Sequence, residues 1–368
     1  MRESGVTPRS PARAARDLAG SFGLLVASVL VTLLVLEGVV RVVTAHAARA
    51  SWESQLASTR VAGVSAPDGE ARLGNIIRPS RHRRIVYELL PNLDVTFVHA
   101  PLRTNADGFR GPARPLAKPR GTVRIVGLGD SVMFGWGVAY EECYLARLES
   151  MLSTPSTPWE TVNLAVPGYN TAMELATLEE KGLAYHPDLV ILNFVGNDLG
   201  LPNFIVEQDD YLDLKRSFLW DFVSGRLRRQ AGRRLAMTRR EQRRAAFARE
   251  PGQVPKRYRD MVGLPAFERS LERLAELSHE NGFAVVVLAH PEALDYVRRT
   301  TSRLGLPLVE TADAIDAAAA VHGERALVVA EHDPHPSALG HAIIARVLAD
   351  DLRRRGVVAR LAARASAH

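Results

Sequence analysis

The stretch "RIVGLGDSVMFGWG", Arg124 to Gly137, runs from an apolar, β-branched segment into Gly129-Asp130-Ser131, with Gly127, Gly135 and Gly137 close by. Such a strand end serves one of two chemistries: the glycines cradle a phosphate, or the serine is a nucleophile. A dinucleotide fingerprint needs Gly-x-Gly-x-x-Gly, and the third position here is Val132; a Walker loop needs Gly-Lys-Ser/Thr, and no lysine follows. Phosphate cradling is therefore disfavoured, and Ser131 becomes the residue to explain.

Outward from this strand the pattern alternates. "TVRIVGLG", "TVNLAV", "DLVILNFV", "FAVVVLAH" and "PLVE" read as strands, separated by helical periodicity over about 141–153, 171–185, 267–280, 293–304, 312–321 and 337–355. Strands alternating with helices predict an α/β fold: a three-layer α/β/α sandwich on a parallel, flavodoxin-like sheet of about five strands. In such sheets ligands bind beyond the carboxyl ends of the strands. The residues expected to converge there are Gly129-Asp130-Ser131, Pro167-Gly168-Tyr169-Asn170 and Gly196-Asn197-Asp198. A hydroxyl, a glycine with an open backbone N–H and a carboxamide donor are what a nucleophile with an oxyanion hole requires.

A serine nucleophile also needs a base. In "EHDPHPSALGHAIIARVLADDL", His335 lies on a turn before an amphipathic helix, and Asp333 stands two residues earlier, able to fix the tautomer of its ring. A metal reading of His332, His335 and His341 is disfavoured, because no Cys/Asp/Glu set completes a recognised zinc spacing. His341 is expected to face solvent or pack on the final helix. Neither a metal nor any other cofactor is expected.

These blocks resemble those of the SGNH, or GDSL-type, hydrolases, over roughly Thr122 to Leu352 apart from one insertion. The resemblance implies Ser131 as nucleophile and first oxyanion donor, Gly168 as second backbone donor, Asn197 as side-chain donor and His335 as general base. That family's usual last block places Asp three residues before the His; here that position is His332, and Asp333 at minus two is the third triad member expected. Asp130, Trp136, Asn170 and Asp198 are further residues expected to line the site. The activity implied is ester hydrolysis or acyl transfer through an acyl-enzyme, on an ester substrate such as an acylated polysaccharide or a lipid. A short acyl group such as O-acetyl on a carbohydrate is the first expectation. A lipase or thioesterase is the alternative within the class. Outside it stand a non-catalytic polysaccharide-binding or scaffold protein and a basic membrane-surface adaptor.

The rest of the 368 residues speaks about location. A basic leader, 1–17, with Arg2, Arg9, Arg13 and Arg16, precedes an apolar run over 18–43 that is uncharged up to Glu37. The run approaches the roughly 20 residues of a spanning helix, and the basic flank keeps the N-terminus cytoplasmic. Ala45-His46-Ala47 has the small-x-small form of a signal-peptide cleavage site but lies beyond the apolar core with charges between, so an uncleaved single-pass anchor is expected, with the catalytic domain extracytoplasmic. Residues 44–83 read as a linker and 84–120, "RIVYELLPNLDVTFVHAPLRTNADGFRGP" within it, as an extended arm that resembles a segment preceding the catalytic domain in membrane-anchored bacterial members. The hydrolase domain is expected over 121–355 and a tail over 356–368.

One excursion, 201–264, interrupts the alternation. Lys215 to Arg249 holds twelve Lys/Arg against Asp221 and Glu241, whereas the whole chain is only +6, so the remainder is mildly acidic. A solvated helical excursion is the plain reading; a lid or a surface for anionic lipid or acidic polysaccharide competes. Nucleic acid is not an expected partner of an extracytoplasmic chain. The single cysteine, Cys143, excludes an intramolecular disulfide and a Cys-rich metal site.

Overall fold

The computed structural model describes residues 11–60, 70–71, 73–202, 217–220, 222–224, 247–254 and 256–367. Two compact units are present: Met1–Trp52 with Asp209–Arg240, and Glu53–Gln208 with Glu241–His368.

The second unit is built on a five-stranded sheet. Its strands are β5 (Val123–Leu128), β6 (Trp159–Asn163), β7 (Leu189–Phe194), β10 (Ala284–Ala289) and β11 (Leu308–Glu310), in the order β11-β10-β7-β5-β6. All four pairings are parallel. Counting only these strands, the order is 2-1-3-4-5, the flavodoxin-like winding expected, and its switch point lies between β5 and β7.

The strands are apolar on both faces, as burial on both sides demands. Alternate residues part onto opposite faces: Ile125, Ile191, Val286 and Leu288 join one core cluster, Val126, Val190, Leu192 and Val287 the other. The first face is covered by α3 (Tyr144–Leu152) and α8 (Ala338–Arg354) through Leu145, Leu148, Ile344 and Leu348. The second is covered by α5 (Leu264–Asn281), whose Phe267, Leu271, Leu274 and Leu277 recur at helical spacing and stop at Gly282, φ 71°. Full burial of each such side chain stabilises by about 1.5–3 kcal/mol.

Three expectations change. The 44–83 linker carries helix to Arg60, as the end of α1 (Pro11–Arg60), and the strand β1 (Ile77–Pro79). β1 pairs with β2 (Tyr87–Leu89), and β3 (Asp94–Phe97) with β4 (Ala100–Arg103), so the arm is two hairpin-like ribbons. Ile77, Tyr87, Leu89, Phe97 and Leu102 are buried in the first core cluster, which makes the arm part of that core. The 356–368 tail is mostly helix, α9 (Val357–Ser366), because Val357 and Leu361, one turn apart, reach that same cluster. The insertion's base is closed by β8 (Leu201–Pro202) against β9 (Phe247–Ala248); most of its basic run lies outside the described residues.

In the first unit, α1 contains Gly20–Thr44, the one helix among the described residues long and apolar enough to cross a membrane. Within that unit the Glu37 carboxylate accepts hydrogen bonds from Ser217 Oγ (2.9 Å) and the backbone N–H groups of Phe218 and Leu219 (2.8 Å each).

Candidate active site

β5 ends at Leu128, and the chain turns at once into a short helix, α2 (Ser131–Phe134). Asp130 caps it: Oδ1 accepts from the Val132 N–H at 2.9 Å, and Gly135 ends the turn at φ 87°. Gly129 has no room for a side chain, since a Cβ there would lie 2.7 Å from the Met133 Cβ. The result is a serine fixed at the carboxyl edge of the sheet, beside the switch point.

His335 arrives from the opposite end of the domain. It sits on β13 (Asp333–Pro336), antiparallel to β12 (Val328–Ala330), a ribbon where the sequence had implied only a turn. Ser337 caps the following α8 by accepting from the Gly340 N–H, which fixes where that ribbon stops. His335 Nε2 lies 2.8 Å from Ser131 Oγ, and its Nδ1 lies 2.5 Å from Asp333 Oδ1. With the ring proton on Nδ1, facing Asp333, Nε2 accepts the serine proton. The other Asp333 oxygen accepts from Trp136 Nε1–H at 2.8 Å, and the Trp136 ring stacks on His335 with centroids 4.9 Å apart. Burial alone raises the Asp333 pKa, but hydrogen bonds from His335 and Trp136 and the charge of His335 outweigh it, so the carboxyl titrates below its ordinary range. The structure thus brings Asp333 to His335 from the minus-two position.

The second strand end supplies Gly168, at φ 82°. A Cβ there would meet Tyr87 Oη at 2.9 Å and Pro202 Cγ at 3.0 Å, so both the backbone conformation and the space favour glycine. Tyr87, from the arm, donates to the Pro167 carbonyl at 2.7 Å and packs edge-on against Tyr169. The third strand end supplies Asn197, whose Nδ2 donates to Asp130 Oδ2 at 3.3 Å. A carboxamide nitrogen carries two hydrogens, so one remains for a ligand. Ser131, Gly168 and Asn197 all line one cleft of about 630 Å³, together with Asp130, Trp136 and His335. Much of its remaining wall is apolar: Leu73, Val195, Pro202, Phe247 and Pro291.

Two expected lining residues do not line it. Asn170 is fully buried as the N-cap of α4 (Thr171–Thr177): its Oδ1 accepts from the Met173 N–H and its Nδ2 donates to the Met261 carbonyl. Asp198 is buried beneath the cleft, accepting from Thr171 Oγ1 at 3.2 Å. With Asp130 and Glu174 it forms a floor of buried carboxyls, all titrating above the ordinary range because burial disfavours their charged forms; in Asp198 and Glu174, neighbouring carboxyls add to the rise. His341 does not face solvent. It is fully buried on α8, stacked on Tyr144 and accepting from the Tyr144 N–H, and burial depresses its pKa to about 3.

Sequence reasoning missed the arm's part in the site. Arg110, 3% exposed, donates to the carbonyls of Phe134, Gly135 and Val138 and so holds the C-terminal end of the serine helix. Phe97 packs edge-on against Trp136. His290 also lines the cleft; burial pushes its pKa down to about 4, so it stays neutral near pH 7. The available signal was composition: aromatic and arginine residues beside turn motifs in a segment read as a bare arm.

Among solved structures the chain is similar to TesA, with 15% identity, covering 63% of this chain and 98% of that one at TM-score 0.38. It is also similar to a lipase/acylhydrolase from Enterococcus faecalis, at 15% identity over 63% and 96% with TM-score 0.37. A third is a catalytic mutant of an acetylxylan esterase from Geobacillus stearothermophilus, at 16% identity over 63% and 93% with TM-score 0.39. No curated protein matches. A family profile described as GDSL-like lipase/acylhydrolase matches residues 128–343, more than half of the chain. The chain belongs to the GDSL-like lipase/acylhydrolase family and is a carboxylic ester hydrolase.

Proposed function

We propose that the protein is a serine esterase that removes or transfers a short acyl group, such as O-acetyl on a carbohydrate, through an acyl-enzyme on Ser131. The observation that carries this reading is the continuous relay of 2.8 Å from Ser131 Oγ to His335 Nε2 and 2.5 Å from His335 Nδ1 to Asp333, set in an open cleft. His335 Nε2 takes the Ser131 proton as Oγ bonds to the ester carbonyl carbon. The developing oxyanion is met by the N–H groups of Ser131 and Gly168 and the free hydrogen on Asn197 Nδ2. His335 then gives its proton to the leaving alcohol oxygen as the carbon–oxygen bond breaks. Water, or a sugar hydroxyl, loses a proton to His335 and attacks the acyl carbon, and the proton returns to Ser131 Oγ.

A fluorophosphonate probe tests the nucleophile: it labels the wild type, and Ser131→Ala is neither labelled nor active. Equal labelling of the two overturns the assignment. Apolar walls favour a second reading, a lipid-like acyl chain. Esters from acetyl to palmitoyl, assayed beside acetylated glycans, decide: kcat/KM is expected to be highest for acetyl, and a palmitoyl optimum replaces the first reading with the second.

The helix within Gly20–Thr44 serves, in this reading, as an uncleaved anchor holding the catalytic unit on the extracytoplasmic side. Glu37 supports retention, because cleavage after Ala47 removes the acceptor of three hydrogen bonds from residues 217–219. Mass measurement of the mature chain tests it; loss of the first 47 residues makes the segment a signal peptide.

A further inference from the structure

We infer that residues 217–220 and 222–224, within the basic insertion, form a second membrane contact: they lie in the bilayer interface beside the spanning helix, with Trp220 and Phe222 in lipid. The inference rests on the anchor reading above.

Counting at 1.5 Å per residue, Glu37 stands about 25 Å along the helix from Gly20, near the far end of a hydrocarbon layer about 30 Å thick. A carboxylate at that depth is costly unless its oxygens are occupied. The insertion occupies them. Ser217 Oγ and the backbone N–H groups of Phe218 and Leu219 all donate to Glu37, and Arg41, one turn on, pairs with it at 2.7 Å. Arg41 also lies over the Phe218 ring at 4.7 Å, and Phe218 is only 4% exposed. Ser217, Phe218 and Leu219 are thereby tied to one level of the apolar helix.

The residues that follow present exposed apolar side chains: Trp220 is 67% exposed, Phe222 47% and Val223 41%. The spanning helix likewise leaves apolar side chains exposed around the level of Glu37, with Leu34, Val35 and Val39 all more than half uncovered. A protein partner for this patch would have to cover the helix as well. A bilayer covers both at once, and tryptophan beside a span end is the side chain that prefers the interfacial layer. The twelve Lys/Arg between Lys215 and Arg249 have the sign that anionic headgroups attract.

The experiment places the full chain in nanodiscs of phosphatidylglycerol and acyl-brominated phosphatidylcholine and compares tryptophan emission with that of Trp220→Phe. The difference spectrum isolates Trp220 from the other three tryptophans. The expected result is blue-shifted emission from Trp220 that bromine quenches strongly. Glu37→Gln, which weakens the tie, is expected to shift that emission to the red and relieve the quenching. Hydrolysis of a soluble short-chain ester stays unchanged in both variants, which shows that they are folded. A chain that elutes with the discs while its Trp220 emission is red-shifted and unquenched overturns the second contact and leaves the anchor standing. A chain that does not elute with the discs overturns the anchor, and this inference with it. Strong quenching that Glu37→Gln leaves unaltered overturns the part assigned to Glu37.

Discussion

Asp333 and Glu174 are both carboxylic acids within one catalytic unit, and the fold treats them in opposite ways. Asp333, at the rim of the cleft, is half-buried and receives hydrogen bonds from His335 and Trp136, so its anion is favoured and its pKa falls. Glu174, in the floor, is fully buried beside Asp198 and Asp130, and its oxygens find no hydrogen-bond donor among the described residues, so its pKa rises well above the ordinary range. Burial raises both acids, and at the shallower Asp333 the donors outweigh it, whereas fully buried Asp130 stays raised despite its donors. The carboxyl that contacts His335 is thus favoured as its anion, while the floor bears on the stability of the sheet edge.

The rim is the more sensitive region. Asp333→Asn keeps the shape but no longer fixes the ring proton of His335 on Nδ1, and turnover is expected to fall by about 10³–10⁴ with the fold retained. Steady-state kinetics beside a thermal melt measure both; a loss under tenfold breaks the comparison by making Asp333 a bystander. Next in size is Asn197→Ala, which removes one oxyanion donor and is expected to lower kcat by about 10²–10³ with little change in KM.

Trp136→Phe sharpens the same comparison more gently. It deletes one donor to Asp333 while leaving an aromatic ring against His335. One hydrogen bond lost to a carboxylate corresponds to about a tenfold fall in kcat. The anion at Asp333 is then less favoured, so its pKa rises and the acid limb of the kcat profile moves to higher pH. An unmoved acid limb makes Trp136 a packing residue only.

The sequence made the strand ends legible because each carries a local signature: Ser131, Gly168 and Asn197 follow apolar runs directly, and His335 precedes a helix with a serine cap. Asn170 misled for the same local reason. Helix caps and site donors draw on the same residue types at the same place, after a strand and before a helix. The arm was opaque for the opposite reason: Tyr87 meets Pro167 across 80 residues and Arg110 meets Phe134 across 24, contacts that leave no spacing to read. The parallel, helix-covered sheet was legible from alternation, whereas α9 was hidden in an arginine-rich, alanine-rich end whose two buried residues declare themselves only against the core.

Glu174→Gln gives the smallest effect and reaches the floor directly. In the unfolded chain the Glu174 carboxyl ionises above about pH 4.3, while in the native state it holds its proton to much higher pH. Over that window the native state binds more protons than the unfolded state, so the wild type loses stability as pH rises. The amide has no proton to release, so the variant escapes this loss. His341 and His290 work in the other direction. Their depressed pKa values, about 3 and about 4, mean that stability is lost as pH falls below about 6.5. Both histidines are shared by wild type and variant, so they cancel in the difference. The melting temperature of Glu174→Gln minus that of the wild type is therefore expected to be larger at pH 8 than at pH 4.5. A difference that stays flat across this range means Glu174 is ionised in the native floor, and the contrast with Asp333 then fails at its buried end.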